Sequence, residues 1–228
     1  VLLALAQATL VHIDMVLGTG PEAKSGDVAT VSYRGSTQDG KVFDESKGRG
    51  PFAFRLGEGQ VIKGWDQGLV GMKVGGKRIL QIPPNLAYGD EGIAGSIPPK
   101  ATLIFEIELL RVDAKGRKPM IEVTEIAPGE GPAAKAGDTV EVHYKGTFLD
   151  GKQFDSSYDR NQTFPVVIGE TKLIPGFTQG LIGMKQGGKR KVVIPYELAY
   201  GEQGRPPVIP PMATLQFELE IVKLTPKG

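Results

Sequence analysis

The sequence predicts an α+β fold built twice over, each copy an antiparallel sheet with one short helix laid on it. Three observations carry this. The chain repeats itself at a nearly constant offset. Apolar and polar residues alternate along most of each copy, which is the period of a half-buried strand. One segment in each copy breaks the alternation with apolar residues four and then three apart, the spacing of a helix face.

The repeat is read directly. Gly18-Thr19-Gly20-Pro21 returns as Gly129-Glu130-Gly131-Pro132, and Val31-Ser32-Tyr33-Arg34-Gly35 as Val142-His143-Tyr144-Lys145-Gly146. Asp39-Gly40-Lys41-Val42-Phe43-Asp44 returns as Asp150-Gly151-Lys152-Gln153-Phe154-Asp155, so the offset is 111. It becomes 112 after Arg49, where the second copy has one extra residue near Asn161-Gln162-Thr163-Phe164, and it holds through Leu86-Ala87-Tyr88-Gly89 and Leu198-Ala199-Tyr200-Gly201. A unit this long is a small domain, not a solenoid repeat. The expected boundaries are residues 10–112 for the first domain and 120–225 for the second. Between them the polar stretch 113–119, ending in Pro119, reads as a linker.

Within a copy, Leu103, Phe105, Ile107 and Leu109 alternate with Ile104, Glu106, Glu108 and Leu110. Leu215, Phe217, Leu219 and Ile221 do the same, and so does Val140 to Lys145. Asp39-Gly40 and Asp150-Gly151 are hairpin turn signals. Trp65, Leu69 and Met72 mark the short helix of the first copy, and Phe177, Leu181 and Met184 that of the second.

Composition narrows the function. The chain has 228 residues, 40% hydrophobic and 23% charged, and a formal net charge of +1, which leaves no cationic surplus for nucleic acid. The run Lys189-Arg190-Lys191 reads as a solvated strand face. With Cys 0, disulfides and thiol chemistry are excluded. His12 and His143 do not suggest a metal site, and no stretch is long enough for a membrane span. Gly18-Thr19-Gly20-Pro21 opens no helix and is no dinucleotide loop. Asn161-Gln162-Thr163 fits a glycosylation acceptor. At the start, Ala6-Gln7-Ala8 has the form of a signal-peptidase site. The competing reading is an apolar lead-in to the first strand, and the balance leans to a periplasmic or secreted protein.

Six segments in one order resemble the FKBP-type peptidyl-prolyl cis-trans isomerases: Val-x-Tyr-x-Gly, Asp-Gly-x-x-Phe-Asp, Val61-Ile62-Lys63-Gly64-Trp65, Leu80-Gln81-Ile82-Pro83, Ala87-Tyr88-Gly89 and Ile97-Pro98-Pro99-x-Ala101-Thr102-Leu103-x-Phe105. Each alone is weak, but they recur in register over nearly all of both copies. The resemblance implies a five-stranded half-barrel sheet around a short helix, with the substrate pocket between them. It also implies the lining. In the first copy this is Tyr33, Phe43, Asp44, Trp65, Tyr88 and Phe105 as catalytic wall, with Arg49, Phe52, Val61, Ile62 and Ile97 binding substrate. In the second it is Tyr144, Phe154, Asp155, Phe177, Tyr200 and Phe217, with Arg160, Phe164, Leu173, Ile174 and Ile209.

Such a pocket needs no metal, nucleophile or cofactor, because rotation about X-Pro breaks no covalent bond. The barrier of roughly 18–20 kcal/mol comes from amide resonance, and a pocket of low polarity favours the twisted, less charge-separated amide. A ten-thousandfold acceleration needs only ~5.4 kcal/mol. By resemblance, Trp65 is the floor for the pyrrolidine ring, the Ile62 N–H and Tyr88 hydroxyl meet flanking carbonyls, and Arg49 holds Asp44.

The copies depart from the pattern in different places. The first has lost a residue in Lys47–Pro51 and carries Ser96 at the rim. The second has Phe177 for the tryptophan, Pro175 for Lys63, and Arg205-Pro206-Pro207 after Tyr200. The two sites are therefore expected to differ in the side chain preferred before proline. Expected partners are proline-containing polypeptides and macrolides of the tacrolimus and rapamycin type. The alternative function is a non-catalytic proline- or peptide-binding, chaperone-like module, above all for the second domain; a packing scaffold is weaker.

Overall fold

A computed structural model describes residues 9–228. Ala6-Gln7-Ala8 and the export reading lie outside them. The chain divides into two compact units between Arg117 and Lys118.

In the first unit the strands are β1 (Val11–Val16), β2 (Val28–Thr37), β3 (Val42–Glu45), β4 (Phe52–Arg55), β5 (Lys77–Ile82) and β6 (Leu103–Asp113), with helix α1 (Lys63–Gly68) between β4 and β5. They form one sheet in the order β1-β5-β6-β2-β3, with β4 also on β2. Every pairing is antiparallel. Strand β4 bonds Val28–Val31 of β2 and β3 bonds Arg34–Ser36, so the two lie end to end along one edge. The expected five-stranded sheet is thus six strands in five ranks, its outer rank broken by the loop that carries Arg49.

The second unit repeats the plan. Its elements are β7 (Glu122–Ala127), β8 (Thr139–Phe148), β9 (Gln153–Ser156), β10 (Phe164–Val167), helix α2 (Pro175–Leu181), β11 (Lys189–Ile194) and β12 (Leu215–Thr225). The order is β10-β8-β12-β11-β7, with β9 on β8. The stretch expected to join the domains begins on the sheet itself. Asp113 ends β6, the Lys115 N–H donates to the Asp27 carboxylate at 3.0 Å, and Arg117 pairs with Asp113 at 3.0 Å.

Alternation decides the core. Leu103, Phe105, Ile107 and Leu109 of β6 face inward and are buried, while Glu106 between them is exposed. Residues of β12 behave alike. The helices are shorter than their apolar spacing suggested. Leu69 caps α1 and Met72 lies beyond it, yet both are buried. Met184 likewise lies beyond α2. Gly71 and Gly183 each take φ of +82°, a left-handed conformation that ends the helical path and still returns the methionine to the core. A helix of six residues is unstable alone and exists here by packing on the sheet.

One sequence reading is corrected. Arg190 does not sit on a solvated face. It shares the inward parity of Val192 and Ile194 and is buried, whereas Lys189 is exposed. The cost of burying the guanidinium is met by Glu125, whose carboxylate accepts from Nε at 2.8 Å, and by the Gly180 and Ile182 carbonyls at 2.8 and 3.0 Å from Nη1.

Candidate functional site

In the first unit, α1 lays Trp65 against the concave side of the sheet. The indole meets Tyr33 and Phe105 edge-on, each with ring centroids 5.1 Å apart. Phe54 and Phe52 flank it at 5.6 and 6.2 Å. Phe43, from β3, stands edge-on to Phe105 at 5.5 Å. Edge-to-face contacts of this kind fix ring orientation as well as burying area. Trp65 and Phe105 are buried, Tyr33 and Phe43 half-buried, and Phe52 is exposed on the stacked face of Phe54.

A polar set borders these rings. The Tyr33 hydroxyl donates to Asp44 at 2.6 Å. The Arg49 guanidinium pairs with the same carboxylate and donates to the Tyr33 oxygen at 3.3 Å. The shortened loop therefore still brings Arg49 to Asp44. The loop is pinned from behind, where the Tyr33 N–H donates to Ser46 Oγ at 3.0 Å. Burial, then the hydrogen bond to Asp44, push the Tyr33 hydroxyl well above its ordinary pKa, so it remains a donor. Burial and the charge of Asp44 also raise Tyr88.

The remaining lining comes from two loops. Val61 and Ile62 lead into α1 and pack on the core. Among the described residues no group accepts the Ile62 N–H, and none bonds the Tyr88 hydroxyl. Two donors are thus free, one on a residue packed on the core and one close enough to Asp44 to feel its charge. Ile97 is buried beneath, its N–H bonded to the Ile93 carbonyl at 2.8 Å.

The second unit rebuilds the arrangement around Phe177. Its ring meets Phe217 at 5.2 Å and Tyr144 at 5.8 Å, both edge-on. Phe154 stands on Phe217 at 5.6 Å, and Phe164 on Tyr144 at 6.0 Å. The Tyr144 hydroxyl donates to Asp155 at 2.6 Å, and Arg160 reaches Asp155 at 2.8 Å and the Tyr144 oxygen at 2.7 Å. Burial pushes the Asp155 carboxyl up, but the bonds from Arg160 and Tyr144 outweigh it and hold it below the usual value.

These residues border a cleft of about 700 Å³. Tyr144, Phe154, Asp155, Phe164, Leu173, Ile174, Phe177, Tyr200 and Phe217 line it directly. Arg160 stands behind Asp155, and Ile209 is part of the buried core. Four further residues line the cleft: Lys172, Pro175, Ala199 and Arg205. Pro175 and Arg205 stand out in the sequence as departures between the copies. Lys172 carried only one signal, its place beside Leu173. A cavity of about 750 Å³ by Pro128–Pro132 and Gln186 has no aromatic lining and no arrangement of this kind. Among the described residues no group of three or more His, Asp or Glu could hold a metal ion, and no helix is long and apolar enough to cross a membrane.

Comparison with known proteins agrees with the repeated plan. The family model described as FKBP-type peptidyl-prolyl cis-trans isomerase matches residues 20–110 and again 131–222. The human peptidyl-prolyl cis-trans isomerase FKBP10 is 44% identical over 204 residues, covering 88% of this chain and 35% of that protein. The rat peptidyl-prolyl cis-trans isomerase FKBP9 is 44% identical over 204 residues, with the same two coverages, 88% and 35%. FK506-binding protein 4 of Neurospora crassa is 54% identical over 99 residues, 43% of this chain and 21% of that protein. The chain spans about a third of the length of the first two relatives.

Proposed function

This chain belongs to the FKBP-type peptidyl-prolyl cis-trans isomerase family, and from that premise we propose that each unit accelerates rotation about X-Pro bonds in proline-containing polypeptides. The observation that carries this is the twice-built site: an edge-on aromatic cage over Trp65 or Phe177, bordered by a Tyr–Asp–Arg set with the same partners in both copies.

The chemistry follows from the geometry. The pyrrolidine ring seats on the floor residue, where water is excluded. As the amide twists, its nitrogen loses conjugation and the bond loses part of its charge separation. An apolar cage favours that state over the planar one, which water would have solvated better. The Ile62 N–H and the Tyr88 hydroxyl hold carbonyls on either side of the proline, so rotation occurs about one bond of a fixed chain. Asp44, oriented by Tyr33 and Arg49, supplies a fixed dipole beside the turning carbonyl. Macrolides of the tacrolimus type occupy the same cage in the first unit.

The test is an NMR exchange assay of cis–trans rates on short Xaa-Pro peptides with the full chain. Tyr88→Ala and Tyr200→Ala are made singly and together. Each single substitution lowers the rate and the pair lowers it most. Rates near the uncatalysed value for the unsubstituted chain would leave only proline binding.

A further inference from the structure

The cleft of the second unit differs in charge from the equivalent place in the first. Lys172 and Arg205 both line it and are both exposed. They arrive from separate segments, Lys172 from the chain entering α2 and Arg205 from the loop after Tyr200. Neither forms an ion pair with a carboxylate among the described residues. The Arg205 guanidinium lies 6.0 Å over the Tyr200 ring, and its backbone is fixed by a bridge to Ile209, with Arg205 N–H to Ile209 O at 2.8 Å. The cation is thereby held beside the tyrosine that borders the cleft. The acid of the cleft, Asp155, is already neutralised by Arg160. Two uncompensated positive charges remain.

The first unit carries Gln60 and Ile93 at these places, and the Gln60 side chain accepts the Arg55 N–H at 2.8 Å. It has Lys63 where the second has Pro175. Its loop 90–97 holds Asp90 and Glu91 with no cation, while loop 202–209 holds Glu202 and Arg205. Lys63 gives the first unit one cation that the second lacks, but the first unit has none at the places of Lys172 and Arg205, the two that line the second cleft.

We propose that the second cleft selects prolines flanked by an acidic side chain, with Lys172 and Arg205 as the residues that read the carboxylate. This rests on the reading of the cleft as a proline site. It assigns the two units different clients within one polypeptide: acidic sequences around proline for the second, and no selection by charge for the first.

The experiment titrates the full chain with peptides that differ only in the residue before proline (Glu, Gln, Leu or Lys), following amide resonances around Tyr200 and around Tyr88 separately. Two partly exposed charge pairs give about a three- to tenfold tighter Kd for Glu-Pro than for Gln-Pro at the second site. Lys-Pro is weaker than either. The ratio falls toward one as salt is raised to about 0.5 M, where the screening length drops below the reach of the pair. At the first site it stays within about twofold. In the chain with Lys172→Gln and Arg205→Ile, the residues of the first copy, the second-site ratio also falls toward one. Equal affinity for Glu-Pro and Gln-Pro, a preference indifferent to salt, or one that survives the double substitution overturns this assignment alone. Failure of every proline peptide to bind removes the proline-site reading with it.

Discussion

The Arg78 guanidinium donates from Nη1 to the Gly68 carbonyl at 2.7 Å, joining the sheet to the last turn of the helix that carries Trp65. The same group grips Asp14 on β1, with Nε to Oδ1 at 2.6 Å and Nη2 to Oδ2 at 3.0 Å. One buried cation thus ties an edge strand, a central strand and a helix end whose carbonyls have no helical partner. Arg190 does the same with Glu125 and Gly180 in the second unit. The helices that carry Trp65 and Phe177 are each held at their ends by a buried arginine of the sheet.

Arg78→Met leaves Asp14 without its cation and the Gly68 carbonyl without its donor. Asp14 is exposed and water can hydrate its carboxylate, so the cost comes mainly from the unpaired Gly68 carbonyl, about 1–3 kcal/mol. Trp65 is the single tryptophan, so its fluorescence during urea unfolding reports on the first unit alone. The expected result is a much lower midpoint for the first unit and an unchanged second one. An unmoved midpoint would mean that the helix end is held by packing only.

Much of this was legible beforehand, for reasons visible at particular residues. The parity of Leu103 to Leu109 gave β6 and its buried face, because a period of two has one physical solution on a half-covered sheet. The pairing of Arg49 with Asp44 followed from family resemblance alone; the Asp39-Gly40 turn places β3 beside β2, but the bond from the Tyr33 hydroxyl to Asp44 shows only in the folded chain. Arg190 was misread because charge composition outweighed parity, although its inward register was already present in the sequence. Lys172 was missed because a loop has no period, and only the folded chain shows which side chain turns toward a cleft.

Acid should loosen the first unit through Asp14. Hydrogen bonding to Arg78, opposed by burial and aided by the charges of Arg78 and His12, holds this carboxyl below its reference value of 3.8. A folded-state pKa depressed in this way contributes stability that is fully present above 3.8 and is lost as pH falls through the lower folded value. Unfolding midpoints followed by Trp65 should therefore drop below that pH, and Asp14→Asn should flatten that part of the profile. An identical acid slope in the Asn variant would place the loss elsewhere.

The cage walls close on a glycine. A Cβ on Gly35 would lie 2.6 Å from Phe105 Cε1 and 2.8 Å from Phe43 Cζ; on Gly146 it would lie 2.7 Å from Phe154 and 2.9 Å from Phe217. Gly35→Ala therefore pushes two pocket rings off their seats, an overpacking that costs about 1–3 kcal/mol. The rings belong to the cage proposed to seat proline, so the cost appears in peptide binding as well as in stability. The expected outcome is a weaker Kd for proline peptides at the first site, with resonances around Tyr200 unaffected. An unchanged Kd would show that Phe43 and Phe105 yield without moving the wall.

The two floors invite an exchange. Trp65 Nε1 is buried and has no hydrogen-bond partner, whereas Phe177 at the equivalent place carries no such donor. An unpaired buried donor costs about 1–3 kcal/mol. Trp65→Phe removes that cost but also removes ring atoms packed against Tyr33, Phe54 and Phe105, so the two effects oppose each other. Its net effect on stability should fall within about 1 kcal/mol, small for a buried aromatic. Phe177→Trp imports both disadvantages, a larger ring and an orphan N–H, and should destabilise the second unit by about 1–3 kcal/mol. Urea titration of both variants, followed by circular dichroism, separates the cases. A loss above about 3 kcal/mol for Trp65→Phe would mean that the indole N–H is satisfied in solution, as a bridging water in the cleft would do.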